Sequence, residues 1–148
     1  MKPNLTHPSQ HGWIAGYGSF FDVLDHQRDR ISKGAFTRTL RAWRLSGKKP
    51  KMLWQHDPKQ PIGVWTHLEE DGQGLYVKGR LALGVPRADE AYLLMRQGVI
   101  DGLSIGFRTI EAIRDKHQKG RILLDIDLIE ISLVTFGVNA KATATVIG

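Results

Sequence analysis

The stretch Ile100-Asp101-Gly102-Leu103-Ser104-Ile105-Gly106-Phe107 has the pattern of a β-strand with a hydroxyl residue at its centre. Ser104 lies between two apolar residues, and glycines stand two positions before and after it. Because a glycine has no Cβ, its backbone can approach a neighbouring group closely. The stretch therefore predicts a strand that brings Ser104 near another part of the chain.

Two other strand-like runs each carry a residue that can handle a proton. His56 follows the run Met52-Leu53-Trp54, and Glu130 lies within Leu128-Ile129-Glu130-Ile131-Ser132-Leu133-Val134. Serine, histidine and a carboxylate are the parts of a nucleophile, a general base and an orienting acid.

The residues alone leave simpler interpretations open for all three. His56 can be a turn residue, and His67 in the next strand competes for any histidine role. Ser104 can be a small packing residue, and Glu130 can face solvent. A carboxylate that faces the core unpaired is costly, which makes Glu130 the most informative of the three.

Alternating and apolar runs predict six main strands, joined by loops rich in glycine, proline and charged residues. Asp71-Gly72-Gln73-Gly74 is a hairpin signal, and Asp57-Pro58 predicts a turn. The apolar face of the fourth strand is expected to consist of Leu75, Val77, Leu81 and Leu83. The predicted strands cover residues 12–21, 51–55, 62–69, 75–83, 99–113 and 121–136.

In the last of these strands, the apolar residues change from even-numbered to odd-numbered positions. Ile122, Leu124 and Ile126 are even-numbered, whereas Ile129, Ile131 and Leu133 are odd-numbered. A β-bulge or kink near Leu128 explains such a change. Before it, Asp125 and Asp127 have the pattern of a solvated strand face.

Two helices are predicted outside the strands. Ser32 is expected to cap a helix that runs to about Leu45, with an apolar stripe of Phe36, Leu40 and Trp43. Pro86 opens a second helix that Gly98 closes. Its buried side is expected to consist of Ala88, Ala91, Tyr92 and Met95.

Hairpin links without a βαβ rhythm indicate a mainly β protein with flanking helices, of the α+β class. We expect a closed or strongly curved β-barrel of six to seven strands, with two or more helices outside it. Residues 1–148 are predicted to form a single domain, with a flexible leader over 1–11 and a C-terminal loop and strand over 137–148.

The composition excludes several kinds of site. The 148 residues include no cysteine, which rules out disulfides, thiolate metal ligands and a cysteine nucleophile. Asp25, His26 and Asp29 match no metal-site spacing, and no phosphate loop or dinucleotide fingerprint is present. We predict neither a metal nor a cofactor. The N-terminal residues lack the apolar core of a signal peptide, which favours a cytosolic protein.

The formal net charge of +6 allows a nucleic-acid partner, an acidic protein partner or simply a solvated basic face. Arg38, Arg41 and Arg44 lie off the apolar stripe of the first helix. Charge runs are most often solvated, and the aromatic stacking platform of a nucleic-acid-binding strand is absent. We therefore favour a solvated face.

Four motifs in order resemble the prohead protease family of tailed bacteriophages, which is related in fold to the herpesvirus assemblins. They are GYGSFFDVLDHQRD with KGAF, LWQHDPKQPIGVW, DGLSIGF and LIEISLVTFGVNA, and the likeness covers about residues 12 to 140. One departure is Gly137, where the family usually has proline.

The resemblance implies a serine endopeptidase in which His56, Ser104 and Glu130 are the catalytic residues. It implies cleavage of the scaffold, or of the scaffold-like arm of the major capsid protein, and often of the protease itself. This would take place in the cytoplasm of the bacterial host, inside the assembling procapsid. We expect a homo-oligomer, with no membrane partner and no specific nucleic acid. The alternatives are a non-catalytic assembly factor of the same fold and a basic nucleic-acid-binding module.

Overall fold

The computed structural model describes residues 11–117 and 119–147, which contain eight strands and two helices. Residues 1–10 of the predicted leader, and Gly148, lie outside the described residues. In chain order the elements are β1 (Trp13–Phe20), β2 (Asp29–Ile31), α1 (Thr37–Ser46), β3 (Lys51–Trp54), β4 (Asp57–Glu70), β5 (Gly74–Leu81), α2 (Pro86–Arg96), β6 (Gly102–Asp115), β7 (Gly120–Val134) and β8 (Ala144–Ile147).

All eight strands belong to one sheet with the order β2-β7-β3-β4-β5-β1-β8, and β6 also pairs with β7. The ladders are antiparallel except β2 with β7 and β3 with β7, which are parallel. The mainly β class with flanking helices is confirmed. The strand count was too low because β2, which has only three residues, is too short to show a period.

The predicted closed barrel is not confirmed, because the strand order of the described residues does not return to its start. A short contact joins β6 to the segment before β8. Thr143 bridges Gly102, and the Leu103 N–H donates to the Ala142 oxygen at 2.8 Å. These bonds join the beginning of β6 to the segment before β8, without a continuous ladder along β6.

Strand β7 contains two irregularities rather than the single predicted one. Gly106 pairs with Glu130 and Phe107 with Leu128, so Ile129 is an extra residue, and it is 51% exposed. The bulge predicted near Leu128 is therefore confirmed. A second shift leaves Leu124 unpaired between Asp125 and Leu123. For this reason the expected apolar face of Ile122, Leu124 and Ile126 was wrong, and Leu123 is buried together with Ile126.

Helix α1 begins at Thr37 rather than after Ser32, so the predicted cap was wrong. Gly34 has a φ of 92°, a conformation that interrupts a right-handed helix, and the chain turns there before the helix starts. The Ser32 N–H instead donates to the Leu123 oxygen at 3.0 Å. Phe36 and Leu40 are buried as expected.

Helix α2 buries the four residues that the sequence predicted, which are Ala88, Ala91, Tyr92 and Met95. A continuous cluster of buried apolar side chains joins both helices to the sheet. Trp65 lies at 0% exposure in this cluster, and its indole N–H donates to the Ile131 oxygen at 3.2 Å. Leu83 follows β5 and is 39% exposed, so it does not extend the apolar face of that strand. Neither helix is long and apolar enough to cross a membrane.

Candidate active site

Strand β7 lies between β3 and β6, and its pairing brings three polar side chains to one face of the sheet. Ser132 is opposite Ser104 of β6, and Glu130 is opposite Gly106. Residues paired across a ladder point to the same face, and alternate residues of one strand share a face. Ser104, Glu130 and Ser132 therefore project away from the core that contains Ile131 and Leu133.

His56 reaches this face from the turn between β3 and β4. Trp54 pairs with Asp57, which leaves Gln55 and His56 as a two-residue loop with φ angles of 53° and 60°. Two positive φ angles in succession match the type I′ turns that connect hairpin strands. The turn predicted at Asp57-Pro58 was therefore wrong. A residue before proline favours an extended conformation, and Asp57 begins β4.

The end of β7 fastens this turn. The Gln55 backbone N–H donates to the Leu133 oxygen at 2.8 Å. The Gln55 side chain donates to the Thr135 hydroxyl at 2.7 Å and accepts from the Thr135 N–H at 3.1 Å. These bonds attach the turn that carries His56 to the end of β7.

The three residues that the sequence singled out meet in one hydrogen-bonded line. His56 Nε2 lies 2.9 Å from Ser104 Oγ, and His56 Nδ1 is hydrogen-bonded to Glu130 Oε1. The side chain of His56 is 42% exposed, whereas that of Glu130 is 9% exposed. Ser104 is buried at 4% exposure. The competing His67 lies elsewhere on β4, with its ring 2.6 Å from Glu69.

Glu130 changes the protonation equilibrium of His56. Its hydrogen bond to the ring, followed by its negative charge, raises the pKa of His56 above the ordinary histidine value, although partial burial of the ring acts in the opposite direction. The imidazolium form is therefore stabilised when His56 takes up a proton.

Gly106 provides the room that the Glu130 side chain occupies. A Cβ at position 106 would collide with the Glu130 carboxylate, so any larger residue there displaces the acid. The glycine two residues after Ser104 is thus explained by a close approach, as the sequence predicted.

Ser132 was not recognised from the sequence. It has 0% exposure, and its hydroxyl donates to Glu130 Oε2 at 2.6 Å. The Ser132 hydroxyl oxygen also accepts the His56 backbone N–H at 3.0 Å. The available signal was a serine two residues after Glu130 in an apolar run, where the strand period places both on one face.

Comparison with known proteins identifies the family. The Caudovirus prohead serine protease family matches residues 3–147. The chain belongs to this family. It is 34% identical over 140 residues to the prohead protease of Enterobacteria phage HK97, covering 93% of this chain and 61% of that protein. It is 35% identical over 99 residues to a capsid polyprotein of Pseudomonas phage PAJU2, covering 63% of this chain and 15% of that protein. The chain thus spans less than two thirds of the length of these relatives.

Solved structures of viral proteases share the fold. The bacteriophage T4 capsid assembly protease superposes with a TM-score of 0.68 at 16% identity, over 83% of this chain and 81% of that one. The KSHV protease superposes with a TM-score of 0.62 at 13% identity, over 93% and 65% of the two chains. The expected likeness to herpesvirus proteases is confirmed at the level of the fold.

Beside Ser104, this member of the prohead protease family has a small cavity that the sequence did not predict. Its wall combines the end of β1, the segment before β2 and the loop after β7, with Ser19, Asp25, Val138 and Asn139 among its residues. The His26 N–H donates to the Val138 oxygen at 2.9 Å, which ties the two loops together. The cavity beside Ser104 is therefore formed by segments far apart in the sequence.

Asp125 and Asp127 are bound by arginines rather than simply solvated. Arg38 of α1 lies 2.9 Å from Asp125 and 2.5 Å from Asp127, and Arg108 lies 3.1 Å from Asp127. The hydrogen bond from Arg38, followed by that from Arg108, holds the pKa of Asp127 below its usual range. The pairs of Arg38 attach α1 to β7. Asp125 and Asp127 are thereby bound to arginines and not to the His56 ring, which Glu130 contacts.

The other acidic residues considered as ligands have structural partners. Arg121 donates to both oxygens of Asp29 at 3.0 and 3.1 Å. Asp25 accepts the backbone N–H groups of Gln27 and Asp29 at 2.8 and 2.9 Å. Within residues 11–117 and 119–147, no group of three possible metal ligands is found.

Proposed function

We propose that the chain is a serine endopeptidase in which Ser104 is the nucleophile, His56 the general base and Glu130 the orienting acid. The observation that carries the proposal is the hydrogen-bonded line from Ser104 Oγ through the His56 ring to Glu130. Each contact lies at hydrogen-bond distance between groups that such a mechanism requires. Membership of the prohead serine protease family supports the same assignment.

The reaction follows from the positions of the atoms. Ser104 Oγ attacks the peptide carbonyl while His56 Nε2 takes the hydroxyl proton. The resulting imidazolium is stabilised by Glu130, which keeps the second proton on Nδ1. His56 then gives its Nε2 proton to the leaving amine, and an ester to Ser104 remains. Water, activated in turn by His56, hydrolyses this ester and restores the serine.

The proposed substrates are proteins of the assembling capsid. We propose the scaffold, or the scaffold-like arm of the major capsid protein, and the protease itself, inside the procapsid in the host cytoplasm. The family supports this setting, and a relative at 35% identity is named a capsid polyprotein.

Co-expression with the major capsid protein of the same phage or prophage tests the function. We expect the capsid protein or scaffold to be cut at defined positions, visible as new termini by mass spectrometry of the fragments. Uncut capsid protein and scaffold, in the presence of soluble folded enzyme, would count against the endopeptidase proposal.

Glu130→Gln is expected to keep the fold and to lower the cleavage rate by about two to four powers of ten. The amide keeps the size of the carboxylate but cannot stabilise the imidazolium with a full charge. Asp125→Asn and Asp127→Asn are the matched controls on the same strand, and each is expected to cost less than about tenfold because Arg38 and Arg108, not His56, bind them. Initial rates at one pH compare the three variants. A severe Asp127→Asn beside a near-normal Glu130→Gln would show that the acid is wrongly assigned.

A homo-oligomer at high concentration is also expected. Tyr92 and Met95 of α2 are buried, but Leu93 is 57% exposed and Val99, just after the helix, is 61% exposed. Burial of these side chains against a second subunit would remove apolar surface from water. Leu93→Lys is expected to shift light scattering toward the monomer, whereas Leu45→Lys on α1, at 78% exposure, serves as the control. A wild-type monomer at millimolar concentration would contradict this prediction.

A further inference from the structure

Ser132 is hydrogen-bonded both to the backbone of His56 and to the side chain of Glu130. It lies next to Glu130 on the same face of β7 and directly opposite Ser104 of β6. Its hydroxyl makes two hydrogen bonds, one as donor to Glu130 Oε2 at 2.6 Å and one as acceptor from the His56 N–H at 3.0 Å. The hydroxyl therefore acts as both a donor and an acceptor, and Ser132 has no exposure to solvent.

The first of these bonds fixes the carboxylate. Oε1 of Glu130 is bound to the His56 ring and Oε2 to Ser132, so both oxygens of one planar group are held. Rotation of the carboxylate away from the imidazole breaks the bond to Ser132. Because Glu130 is 7% exposed, water is poorly placed to replace that bond.

The second bond fixes the backbone that carries the imidazole. His56 has a φ of 60°, in the left-handed region that a residue other than glycine adopts at some cost. The Ser132 hydroxyl receives the N–H of this same residue. The position of the ring relative to Ser104 therefore depends on the hydroxyl of Ser132.

We infer that Ser132 is a positioning residue of the site, which holds the Glu130 carboxylate and the His56 backbone in one geometry through a single hydroxyl. This inference rests on the proposed function for its effect on rate. It extends that function by a fourth side chain that does not touch the substrate.

The phosphonylation rate of Ser104 provides a test that needs no identified substrate. In this reaction Ser104 Oγ attacks the phosphorus of an alkyl fluorophosphonate, a P–O bond forms, fluoride leaves and His56 takes the serine proton. Intact mass spectrometry follows the added mass over a range of pH. The rate should rise to a plateau as His56 loses its proton.

Ser132→Ala is expected to lower the plateau rate by about 10- to 100-fold, the effect of losing one hydrogen bond to a charged group. The midpoint of the rise should move to lower pH, because a carboxylate that leaves the imidazole no longer favours its protonated form. In a Glu130→Gln background the same substitution should lower the plateau less than tenfold, since the group it positions is already lost.

Thr39→Val is the matched control. Thr39 is also buried, and its hydroxyl accepts a backbone N–H of β7, that of Leu128, at 3.0 Å. This variant removes a comparable hydrogen bond from the same strand while leaving the site untouched, so its plateau and midpoint should equal those of the wild type. Thermal unfolding of both variants measures the purely structural loss.

The Ser132 assignment is overturned by a Ser132→Ala variant with a wild-type plateau, by a midpoint at or above that of the wild type, or by an equal effect in the Glu130→Gln background. NMR titration of the His56 ring separates this result from a failure of the proposed function. If Ser104 of the wild type does not react, the enzyme proposal fails. The titration midpoint of His56 should still fall in Ser132→Ala, and an unchanged one overturns the positioning role.

Discussion

Replacing Ser104 with alanine is expected to lower cleavage of the capsid protein by about four to six powers of ten, with no loss of fold. The substitution removes one oxygen, whose described side-chain partner is His56 Nε2 at 2.9 Å. His56 and Glu130 keep their own hydrogen bond, so the rest of the site remains in place. Without the hydroxyl, however, no ester to the enzyme can form.

The measurement is the rate at which new capsid-protein termini appear, with each variant at equal concentration. Ser46→Ala serves as the control, because the Ser46 hydroxyl bonds within the end of α1, to the Trp43 oxygen at 2.7 Å. Circular dichroism and thermal unfolding establish that both variants are folded. Normal processing by Ser104→Ala would end the protease proposal and favour the assembly factor without catalysis.

The arrangement of the candidate site was predictable where local pattern and chemistry agreed. A strand around Ser104 followed from alternation and glycines, and both are explained by the pairing of β6 with β7. The sequence left open whether Glu130 is buried or faces solvent, because the parity change near Leu128 made its face uncertain, and the structure buries it at 7% exposure. That the three residues meet was implied by the family resemblance, since spacing along the chain does not determine distance in space.

The errors arose where one residue changes the local geometry. Gly34 delays the start of α1 beyond Ser32, because its positive φ breaks the turn that a capped helix would begin. The extra residue Leu124 exchanges the faces of β7 a second time, and a period of two cannot reveal two shifts so close together. The irregularity at Leu124 depends on the pairing with β6 as well as on the sequence of β7 itself.

Contacts between residues far apart in the sequence were not predictable either. The arginines of α1 were expected to be solvated, yet Arg38 bridges Asp125 and Asp127 of β7, some ninety residues away in the sequence. Its ion pairs raise the pKa of Arg38 and leave Asp127 in its charged form. Part of the basic charge of this helix therefore serves to attach it to the sheet, which weakens the case for a nucleic-acid-binding face.

The loss of His56 should be as severe as the loss of Ser104, about four to six powers of ten in cleavage rate. His56 is the described side chain hydrogen-bonded to the Ser104 hydroxyl, and without it the proton has no acceptor. Alanine at a φ of 60° also carries backbone strain, so a lower rate of His56→Ala would not distinguish this strain from the loss of the base. His56→Asn is the sharper variant, because asparagine tolerates this conformation and cannot act as the base.

His67→Ala is the matched control, since His67 also lies beside a carboxylate, that of Glu69 at 2.6 Å. It should retain the wild-type rate and the wild-type pH profile.

In the wild type the rate should rise with pH as His56 loses its proton. Glu130 raises the pKa of His56, so this rise should occur above the ordinary histidine value of 6.5. In Glu130→Gln the rise should move to lower pH while the plateau falls, because the amide no longer stabilises the imidazolium. A His67→Ala variant as slow as His56→Asn would mean that the general base has been wrongly assigned between the two histidines of β4 and its preceding turn. The hydrogen bond between His56 and Ser104 would then have no catalytic meaning.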